Sequence, residues 1–248
     1  MSIKPSVRIV LPAYNEQLCL AQSVRRMLDF CDSRLTGYNW HILIAENGST
    51  DSTPRLADRI AENNPWVEVL HLPNPGRGAA LKKACATCET DYLLYSDVDL
   101  SADLNAIPEL LHALDSGADL AIGNRLHARA KVTRRVHREI LSRGYNLILQ
   151  TVLGVKKFKD AQCGLKAWRI EKTLSIIHRV EDDRWFFDTE LLVLAEEAGL
   201  SIREIPVNWV EDPVTSVKIP NTIAAKIRGI IRLRSNGFSR DHSPSDLS

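Results

Sequence analysis

Short apolar runs alternate with helical patterns along the first half of the chain, and this alternation constrains the fold more than any other feature. Five runs have the length and apolar character of buried strands: Val7–Leu11, Ile42–Ala45, Val67–Leu72, Tyr92–Ser96 and Leu120–Gly123. Helical patterns separate them at about Glu16–Cys31, Pro54–Asn63, Arg77–Cys88 and Ala106–Leu114. Strand–helix–strand units cross over right-handed and build parallel sheets with helices on both faces. The sequence therefore predicts an α/β fold, with a mostly parallel central sheet flanked by helices.

The regular alternation of short strands and helices ends after Gly123, and helical patterns dominate the rest of the chain. The sequence predicts helices at about Thr133–Leu153, Arg184–Ala198 and Thr222–Arg234. It also has an apolar segment at Cys163–Trp168 and a predicted strand at Ile202–Trp209. We expect residues 125–235 to close onto the same sheet as residues 1–124, so that residues 1–235 form a single domain. The polar, Ser-rich residues 236–248 are predicted to be a disordered tail.

Composition and charge narrow the class of protein. Charged residues make up 25% of the chain, hydrophobic residues 44%, and the formal net charge is +1, which are ordinary globular values. There is no run of about 18 apolar residues and no apolar signal core at the N-terminus. The five cysteines, including Cys85 and Cys88 in a helical pattern, predict reduced thiols and not a zinc or redox site. We therefore expect a cytoplasmic protein.

Polar clusters follow four of the predicted strands, where ligands bind in open α/β sheets. The clusters are Pro12-Ala13-Tyr14-Asn15-Glu16, Glu46-Asn47-Gly48-Ser49-Thr50-Asp51, Pro73-Asn74-Pro75-Gly76-Arg77-Gly78 and Asp97-Val98-Asp99. One such cluster is weak evidence for a site. Four successive clusters at one edge of a sheet predict a binding site there.

Asp97 and Asp99 are the sharpest of these signals because they follow an apolar strand directly. Buried carboxylates are costly unless they are solvated, paired or bound to metal. Hard oxygen ligands suit Mg²⁺ or Mn²⁺, which bridge protein carboxylates to a diphosphate. The alternative is a turn followed by a helix cap, with Ser101 or Asp103 as the capping residue.

The segment Gly76-Arg77-Gly78 precedes a predicted helix, and free backbone N–H groups beside a cation suit phosphate. The chain has neither GxGxxG nor GxxxxGK[ST] there, which disfavours a dinucleotide fold or a P-loop. The glycines have a structural alternative, in which they only make the turn. Glu46 and Asp51 also have two alternatives: they would form hydrogen bonds to the ribose or the base of a nucleotide, or they would cap the next helix. Tyr14 would line a base pocket, or it would be a half-buried loop residue.

These blocks resemble the successive nucleotide-sugar motifs of inverting family 2 glycosyltransferases, which have the GT-A fold. Later blocks resemble the dolichyl-phosphate and polyprenyl-phosphate sugar transferases, closest to the glucosyl branch. Those blocks are Ile122–Arg125, Lys159–Lys166, Arg184–Leu192 and Glu204–Trp209. The resemblance covers residues 7–235, and it implies a nucleotide-sugar half at 1–124 and an acceptor half at 125–235.

The resemblance also implies roles for individual residues. Nucleotide contacts are implied for Pro12, Tyr14 and Glu16, base or ribose contacts for Glu46 and Asn47, diphosphate contacts for Gly76 and Arg77, metal ligation for Asp97 and Asp99, and lipid-phosphate contacts for Arg125, Arg138 and Ser142. Two departures leave the donor open between UDP-glucose and GDP-mannose. Ser101 stands where mannosyl enzymes have Gln, and Asn47 where a second Asp is common.

Two basic segments point to an anionic partner. Residues 125–143 carry a net charge of +6, and Arg forks bind phosphate oxygens in pairs. The alternative is a solvated basic helix face; nucleic acid is disfavoured because no aromatic platform is interleaved. In the last predicted helix a line of isoleucines (Ile223, Ile227, Ile230 and Ile231) lies beside Lys226, Arg228, Arg232 and Arg234. Such a helix predicts peripheral contact with a membrane surface, or else it packs its stripe on the domain; a homo-oligomer also stays open.

The expected reaction is a metal-dependent, inverting transfer of a hexose, glucose favoured, from a nucleotide diphosphate sugar to a polyprenyl phosphate. A phosphate acceptor is already largely ionised, with a second pKa of about 6, so it needs little base. The main alternative is a saccharide or small-molecule hydroxyl acceptor, for which Asp188 or Glu190 would be the base. Either carboxylate would otherwise be structural, with Arg169 or Arg203 as a partner for Glu190.

Two further classes stay open as rivals. A sugar nucleotidyltransferase would usually carry a Gly-rich loop after the first strand, where this chain has Pro12–Glu16. A non-catalytic nucleotide-sugar or membrane adaptor would lack metal-dependent hydrolysis of a sugar nucleotide.

Overall fold

The computed structural model describes residues 4–133, 136–210 and 219–235, with side chains described at 4–133, 139–210 and 224–235. The strands in these ranges are β1 (Ser6–Ala13), β2 (Asn39–Asn47), β3 (Val67–Leu72), β4 (Tyr92–Ser96), β5 (Leu120–Asn124), β6 (Val132–Thr133), β7 (Leu165–Arg169), β8 (Ile202–Pro206) and β9 (Trp209–Val210). The helices are α1 (Leu20–Arg34), α2 (Thr53–Glu62), α3 (Arg77–Ala86), α4 (Ile107–Asp115), α5 (Val136–Ile148), α6 (Ile170–Arg179), α7 (Phe187–Glu197) and α8 (Ile219–Ser235).

The central sheet has the strand order β3-β2-β1-β4-β7-β5-β8. All neighbouring strands are parallel except β7, which is antiparallel to both β4 and β5. The predicted mostly parallel sheet is confirmed. The insertion of β7 between β4 and β5 was not predicted, and it places the residues just before β7 beside the carboxyl end of β4.

Both faces of the sheet are buried because alternate residues of each strand enter different cores. Val7, Ile9 and Leu11 of β1 pack with α1 and α4, whereas Val10 packs with the core that holds α3 and α7. In β4, Tyr95 belongs to this second core. Its ring therefore lies on the face where α3 and α7 meet the sheet.

Several predicted boundaries in the second half were wrong. The predicted strand Ile202–Trp209 is two strands, β8 in the main sheet and β9, which pairs with β6 in a small second sheet. The predicted helix from Thr133 begins at Val136, because Val132–Thr133 forms β6, and it ends in a π-helical turn at Leu149–Leu153. Helix α6 was not predicted at all.

Helix α7 begins at Phe187, three residues later than predicted. Asp182 causes the delay, since its Oδ1 accepts hydrogen bonds from the backbone of Arg184 and Phe186 and closes a turn ahead of the helix. The five cysteines lie within the described residues and form no disulfide with one another. No helix among the described residues combines the length and apolar character needed to span a bilayer. The predicted tail, residues 236–248, lies outside the described residues, and the single-domain boundary stays a prediction.

Candidate functional site

The carboxyl ends of β1, β2 and β4 meet at one edge of the sheet because these strands are parallel and in register. Ala13 pairs with Glu46, and Val10 pairs with Tyr95. Asn47 joins three elements there: its Nδ2 donates to the Ala13 carbonyl at 2.9 Å, and its Oδ1 accepts from the Gly76 amide at 3.1 Å. Asn47 is thus buried and holds the start of α3 against the sheet edge.

The loops that follow β1 and β2 are tied to each other. Asn15, at a positive φ of 56°, accepts from the Thr50 amide at 2.8 Å, and the Glu16 amide donates to Thr53 Oγ1 at 2.8 Å. Tyr14 is 42% exposed beside these loops, so its ring face is available to a flat ligand. Pro12 is half-buried at the base of the same loop.

Glu46 is buried and has internal partners. Its Oε1 accepts from the Ser49 amide at 2.6 Å, and its Oε2 lies 3.0 Å from His71 Nδ1. The hydrogen bond that His71 donates to Glu46 raises the pKa of His71 above its usual value. Sequence reasoning missed His71, which has no motif around it. Asp51 accepts from the Thr53 amide at 2.9 Å, the capping alternative predicted for it.

Asp97 and Asp99 lie in a tight turn after β4. The Asp97 amide donates to the Gly164 carbonyl at 2.9 Å, the Leu100 amide donates to the Asp97 carbonyl at 3.1 Å, and Asp99 Oδ1 accepts from the Ser101 amide at 3.0 Å. Leu100 adopts φ of 50°, an uncommon conformation for a non-glycine residue. The turn therefore holds both carboxylates in place.

Gly164 leaves room for the Asp97 carboxylate. A Cβ at position 164 would lie 1.7 Å from Asp97 Oδ2, which is far inside contact distance. The carboxylate side chain is 29% exposed, and its Oδ1 is bound by Arg77. Two half-buried carboxylates fit Mg²⁺ or Mn²⁺ by the chemistry of their oxygen atoms. No group of three or more His, Cys, Asp or Glu in the described part of the chain is placed to hold a metal, so Asp97 and Asp99 would bind one with substrate oxygens completing the shell.

A buried ionic network lies directly behind this turn. Arg77, at the start of α3, binds Asp97 through Nη2 at 2.7 Å and also pairs with Asp188 of α7. Lys166 of β7 is fully buried, and its Nζ lies 2.8 Å from Asp188 Oδ1 and 3.0 Å from the hydroxyl of Tyr95. The hydroxyl of Tyr95 also donates to Asp188. The network joins β4, β7, α3 and α7 at the candidate site.

Two aromatic rings enclose the Arg77 guanidinium. Its Cζ lies 5.0 Å from the ring centroid of Tyr95 and 5.4 Å from that of Trp185. Trp185 is 46% exposed, so it presents an aromatic face to solvent next to the charged centre. Trp185 and Lys166 occur in blocks that carry the family resemblance, but their roles were not predicted.

The network keeps Asp188 ionised. Burial alone would raise the pKa of Asp188, but Arg77 and Lys166, with hydrogen bonds from Lys166 and Tyr95, lower it to about 2. A carboxylate with this pKa is a poor proton acceptor near neutral pH. The contacts therefore favour the structural alternative for Asp188 over a general base.

Glu190 has a different set of partners on the other side of α7. Its Oε2 accepts from the Asp182 amide at 2.9 Å and from Arg232 Nη2 at 2.6 Å. The predicted partners, Arg169 and Arg203, were wrong: Arg169 instead donates to the carbonyls of Leu114 and Ala118. Glu190 therefore fastens α7 to α8.

The glycines around Arg77 serve close packing. A Cβ at Gly76 would lie 2.7 Å from the Asp183 carbonyl, and one at Gly78 would lie 2.7 Å from the Asp182 carbonyl. The Ala79 amide donates to the Asp183 carbonyl at 3.0 Å. The amide of Gly76, which was expected to be free for phosphate, is bonded to Asn47, and the amide of Ala79 just beyond this segment is also bonded within the protein.

Contrary to the prediction, the guanidinium of Arg125 is bonded within the protein and is not presented to a ligand. Its Nε and Nη2 form a fork on Asp160 at 2.8 and 2.9 Å, and its Cζ lies 4.8 Å from the ring centroid of Trp209. Asp160 is fully buried; burial would raise its pKa, but Arg125 lowers it below the usual value. The fork expected on lipid phosphate is therefore already bonded to a carboxylate.

The other residues assigned to the lipid phosphate lie on α5. Ser142 is 6% exposed, and its hydroxyl has no hydrogen-bond partner among the described residues. The side chain of Arg138 lies outside the described residues. A cleft of about 410 Å³ lies on this side of the molecule, lined by residues that include Arg125, Glu139 and Arg143.

The predicted isoleucine stripe of α8 is divided between two faces. Ile230 is buried together with Leu233, whereas Ile227 and Ile231 are 51% and 62% exposed. The side chain of Ile223 lies outside the described residues. The stripe was expected either to face a membrane or to pack on the domain. It does neither as a whole, because one edge packs on the domain and the other faces solvent.

Comparisons with known proteins agree with this fold. The sequence profile of the Glycosyl transferase family 2 matches residues 8–166. Glycosyltransferase AglD of Haloferax volcanii is 35% identical over 91% of this chain, which spans about a third (36%) of that protein. Dolichyl-phosphate beta-glucosyltransferases of Dictyostelium discoideum and Saccharomyces cerevisiae are 30% and 28% identical, each over 91% of this chain and 73% of the relative.

Solved structures give the same fold. Glucosyl-3-phosphoglycerate synthase from Mycobacterium tuberculosis matches with a TM-score of 0.67 at 18% identity, covering 94% of this chain and 81% of that one. The same enzyme in complex with Mn²⁺, UDP and glucosyl-3-phosphoglycerate matches with a TM-score of 0.62 at 21% identity, covering 92% and 77%. The family profile covers more than half of the chain, and the fold agrees with it. The chain is a glycosyltransferase of the GT-A fold and belongs to glycosyl transferase family 2.

Proposed function

We propose that this enzyme transfers a hexose, with glucose favoured, from a nucleotide diphosphate sugar to a polyprenyl or dolichyl phosphate, with inversion and with a divalent metal. The observation that carries the acceptor class is the ion pairing of Asp188. A hydroxyl acceptor needs a base, and Asp188 is held by Arg77 and Lys166 with a pKa of about 2. A phosphate acceptor arrives largely ionised near neutral pH, with a second pKa of about 6, and needs no such group.

The relatives support glucose and a lipid phosphate. Those of D. discoideum and S. cerevisiae are named dolichyl-phosphate beta-glucosyltransferases. UDP and UDP-glucose are bound in structures of the mycobacterial enzyme that shares the fold. UDP-glucose is therefore our first candidate donor, ahead of GDP-mannose.

The residues around β4 suit departure of a nucleoside diphosphate. Asp97 and Asp99 would hold Mg²⁺ or Mn²⁺, which supplies positive charge to the leaving diphosphate. Arg77 lies against Asp97 and adds a cation at the same place. The Tyr14 ring and Glu46 with the loop that follows it would bind the nucleoside at the ends of β1 and β2.

The acceptor phosphate would lie on the side of α5. Ser142 offers a buried hydroxyl that has no partner among the described residues, and Arg138 follows from the family resemblance. Because Arg125 is bonded to Asp160, we assign it to holding this wall in place. The phosphate oxygen would attack the anomeric carbon from the face opposite the diphosphate.

A membrane surface is the proposed partner for this side of the molecule. Large apolar side chains are exposed along α5, the following π-helical turn and α8: Ile140, Leu141, Leu147, Ile148, Val152, Ile227 and Ile231. Apolar side chains on two neighbouring elements, with basic residues around them, are typical of a helix pair at a lipid interface. A polyprenyl phosphate would be reached from such a surface.

The test is a donor screen against a short polyprenyl phosphate with Mg²⁺ or Mn²⁺, with the anomeric configuration of the product read by NMR. We expect β-glucosyl transfer from UDP-glucose, lost in Asp99→Ala. Transfer to a saccharide or small-molecule hydroxyl, with none to the lipid phosphate from any donor, would overturn the proposal and favour the alternative acceptor. Absence of both transfer and metal-dependent donor hydrolysis would favour a non-catalytic adaptor.

A further inference from the structure

We propose that Lys226 of α8 binds the phosphate of the acceptor, so that the C-terminal helix supplies a ligand-binding group as well as a surface. This inference rests on the proposed function and extends it to a residue that the family resemblance does not assign. Lys226 belongs, by sequence, to the basic side of the predicted stripe. In the fold it shares the inward face of α8 with Ile230 and Leu233, four and seven residues later, both of which are buried.

The neighbours of Lys226 connect it to both walls of the site. Its Nζ lies 5.0 Å from the ring centroid of Tyr145 on α5. The Tyr145 hydroxyl is 2.7 Å from Thr189 Oγ1, and Thr189 follows Asp188 on α7. Ser142, the buried hydroxyl without a described partner, lies three residues before Tyr145 and therefore near it along α5.

Among the side chains that the structure describes here, Lys226 is a half-buried cation without a matching carboxylate. Arg125 is bonded to Asp160, and Arg77 and Lys166 share Asp97 and Asp188. The structure gives Lys226 no ion pair within the ranges it describes.

The pKa of Lys226 agrees with a half-buried ammonium that has no ion pair among the described residues. Burial lowers the pKa of Lys226 to about 8; Asp188 opposes the shift, while Arg125 and Arg77 add to it. A half-buried ammonium without a carboxylate is costly, and a phosphate group would remove that cost.

The backbone of α8 is fixed close to Lys226, so the point from which its side chain extends is held in place. A Cβ at Gly229 would lie 2.4 Å from the Phe186 ring, which means that α8 touches the loop before α7 directly. Arg232 binds Glu190 at 2.6 Å and Glu181 at 3.2 Å. These contacts anchor the helix within two turns of Lys226.

The position favours the acceptor phosphate over the donor diphosphate. The candidate donor residues lie at the ends of β1 and β2 and at the start of α3, whereas the ring beneath Lys226 belongs to α5. The next residue, Ile227, is 51% exposed on the surface proposed to meet lipid. Lys226 is therefore placed just inside that surface, where the phosphate of a membrane-bound prenol would enter.

The kinetic test compares Lys226→Met, Lys226→Arg and, as a control, Lys172→Met, which removes a lysine of α6 that is 51% exposed and lies outside both basic segments. A lost charged hydrogen bond predicts a rise of roughly tenfold or more in KM for polyprenyl phosphate in Lys226→Met. KM for the sugar nucleotide, and donor hydrolysis without acceptor, should stay within about twofold. Lys226→Arg should recover most of the affinity. A rise in donor KM instead, or no change in either KM, would overturn the assignment.

A second measurement uses the unaltered protein and needs no turnover. Trace acetylation near pH 8, quantified by mass spectrometry, reports the accessibility of the Lys226 amine. We expect farnesyl phosphate to protect Lys226, and farnesol and UDP to leave it reactive. Protection by UDP alone, or by none of the three, would refute the inference. Protection by farnesyl phosphate in an enzyme that transfers no sugar to it would instead refute the proposed function and leave the phosphate site standing.

Discussion

At the scale of the residue, the central feature is that Asp188 serves as the shared counterion of Arg77 and Lys166. Each of the three side chains is nearly inaccessible, so none is stable as a charge without the others. Removing one partner of a buried pair leaves an uncompensated charge, which costs about 3 to 5 kcal/mol. The arrangement favours a structural role for Asp188 over the role of a base.

Asp188→Asn should lower the free energy of unfolding by about 3 kcal/mol because it leaves Arg77 and Lys166 without a full counterion. The effect should depend on pH in one direction. The folded pKa of Asp188 is about 2, below the value of about 3.9 in an unfolded chain. Its stabilising contribution is therefore complete above about pH 4 and is lost as pH falls towards about 2. Denaturant unfolding across this range should show the difference between wild type and variant shrinking.

Asp183→Asn is the matched control, since Asp183 pairs with Lys82 but its side chain is 62% exposed. An exposed pair contributes about 0 to 1 kcal/mol. If Asp188→Asn kept wild-type stability but lost transfer, and transfer recovered steeply with rising pH, Asp188 would be a base after all.

Gly164 offers a residue-scale test of the carboxylate pair. Gly164→Ala places a methyl group where Asp97 Oδ2 now lies, so the carboxylate must turn away. We expect the apparent affinity for Mn²⁺ to fall at least about tenfold, because a ligand held in the wrong orientation loses much of its binding energy. Gly144→Ala in α5 is the control, since no atom of the described residues lies within 4 Å of its added Cβ. Unchanged Mn²⁺ affinity in Gly164→Ala would contradict the role given to Asp97.

At the scale of the element, the sequence predicted the parts of the fold that local patterns determine. Apolar strands separated by amphipathic helices placed four polar clusters at one edge of the sheet, and Asn47, Arg77 and Asp97 do meet there. The position of β7 could not be predicted, because strand pairing between distant segments leaves little local trace. For the same reason neither Lys166 nor Gly164 was assigned a role, although both lie against residues that were.

The orientation of helix α8 also could not be predicted from local sequence patterns. Its isoleucines form a line on a helical wheel, but the choice of buried face is made by Phe186 against Gly229 and by Arg232 against Glu190. Those contacts rotate the helix so that Ile230 and Lys226 face inward. Amphipathic periodicity alone does not contain that information.

A double-mutant cycle on Arg232 and Glu190 tests whether this contact anchors α8. Glu190 is buried and Arg232 is 31% exposed, so we expect a coupling energy of about 1 to 2 kcal/mol between Arg232→Met and Glu190→Gln. The matched pair Arg179 and Glu197, 51% and 39% exposed, should give at most about 0.5 kcal/mol. Equal coupling energies in the two cycles would mean that α8 is held by its apolar contacts alone.

At the scale of the whole molecule, the net charge of +1 hides an uneven distribution along the chain. Residues 125–143 contribute +6 and residues 218–234 contribute +5, which leaves −10 for the remainder. The first segment includes the first eight residues of α5 and the second nearly all of α8, and exposed apolar side chains there include Ile140 and Ile231. Basic and apolar groups together favour an anionic lipid surface over water or a neutral one.

This combination predicts that the protein binds vesicles containing anionic lipid, and that Ile227→Ser with Ile231→Ser weakens the binding. Each isoleucine that enters the bilayer interface contributes up to about 1.5 to 3 kcal/mol, so the double variant should lose at least about tenfold in partitioning. Leu18→Ser is the control, because Leu18 is 89% exposed ahead of α1 and away from both basic segments. Added salt should weaken wild type and both variants alike, since it screens only the charged contribution. Vesicle sedimentation in which Leu18→Ser fails and the isoleucine variant still binds would place the lipid-facing surface elsewhere on the molecule.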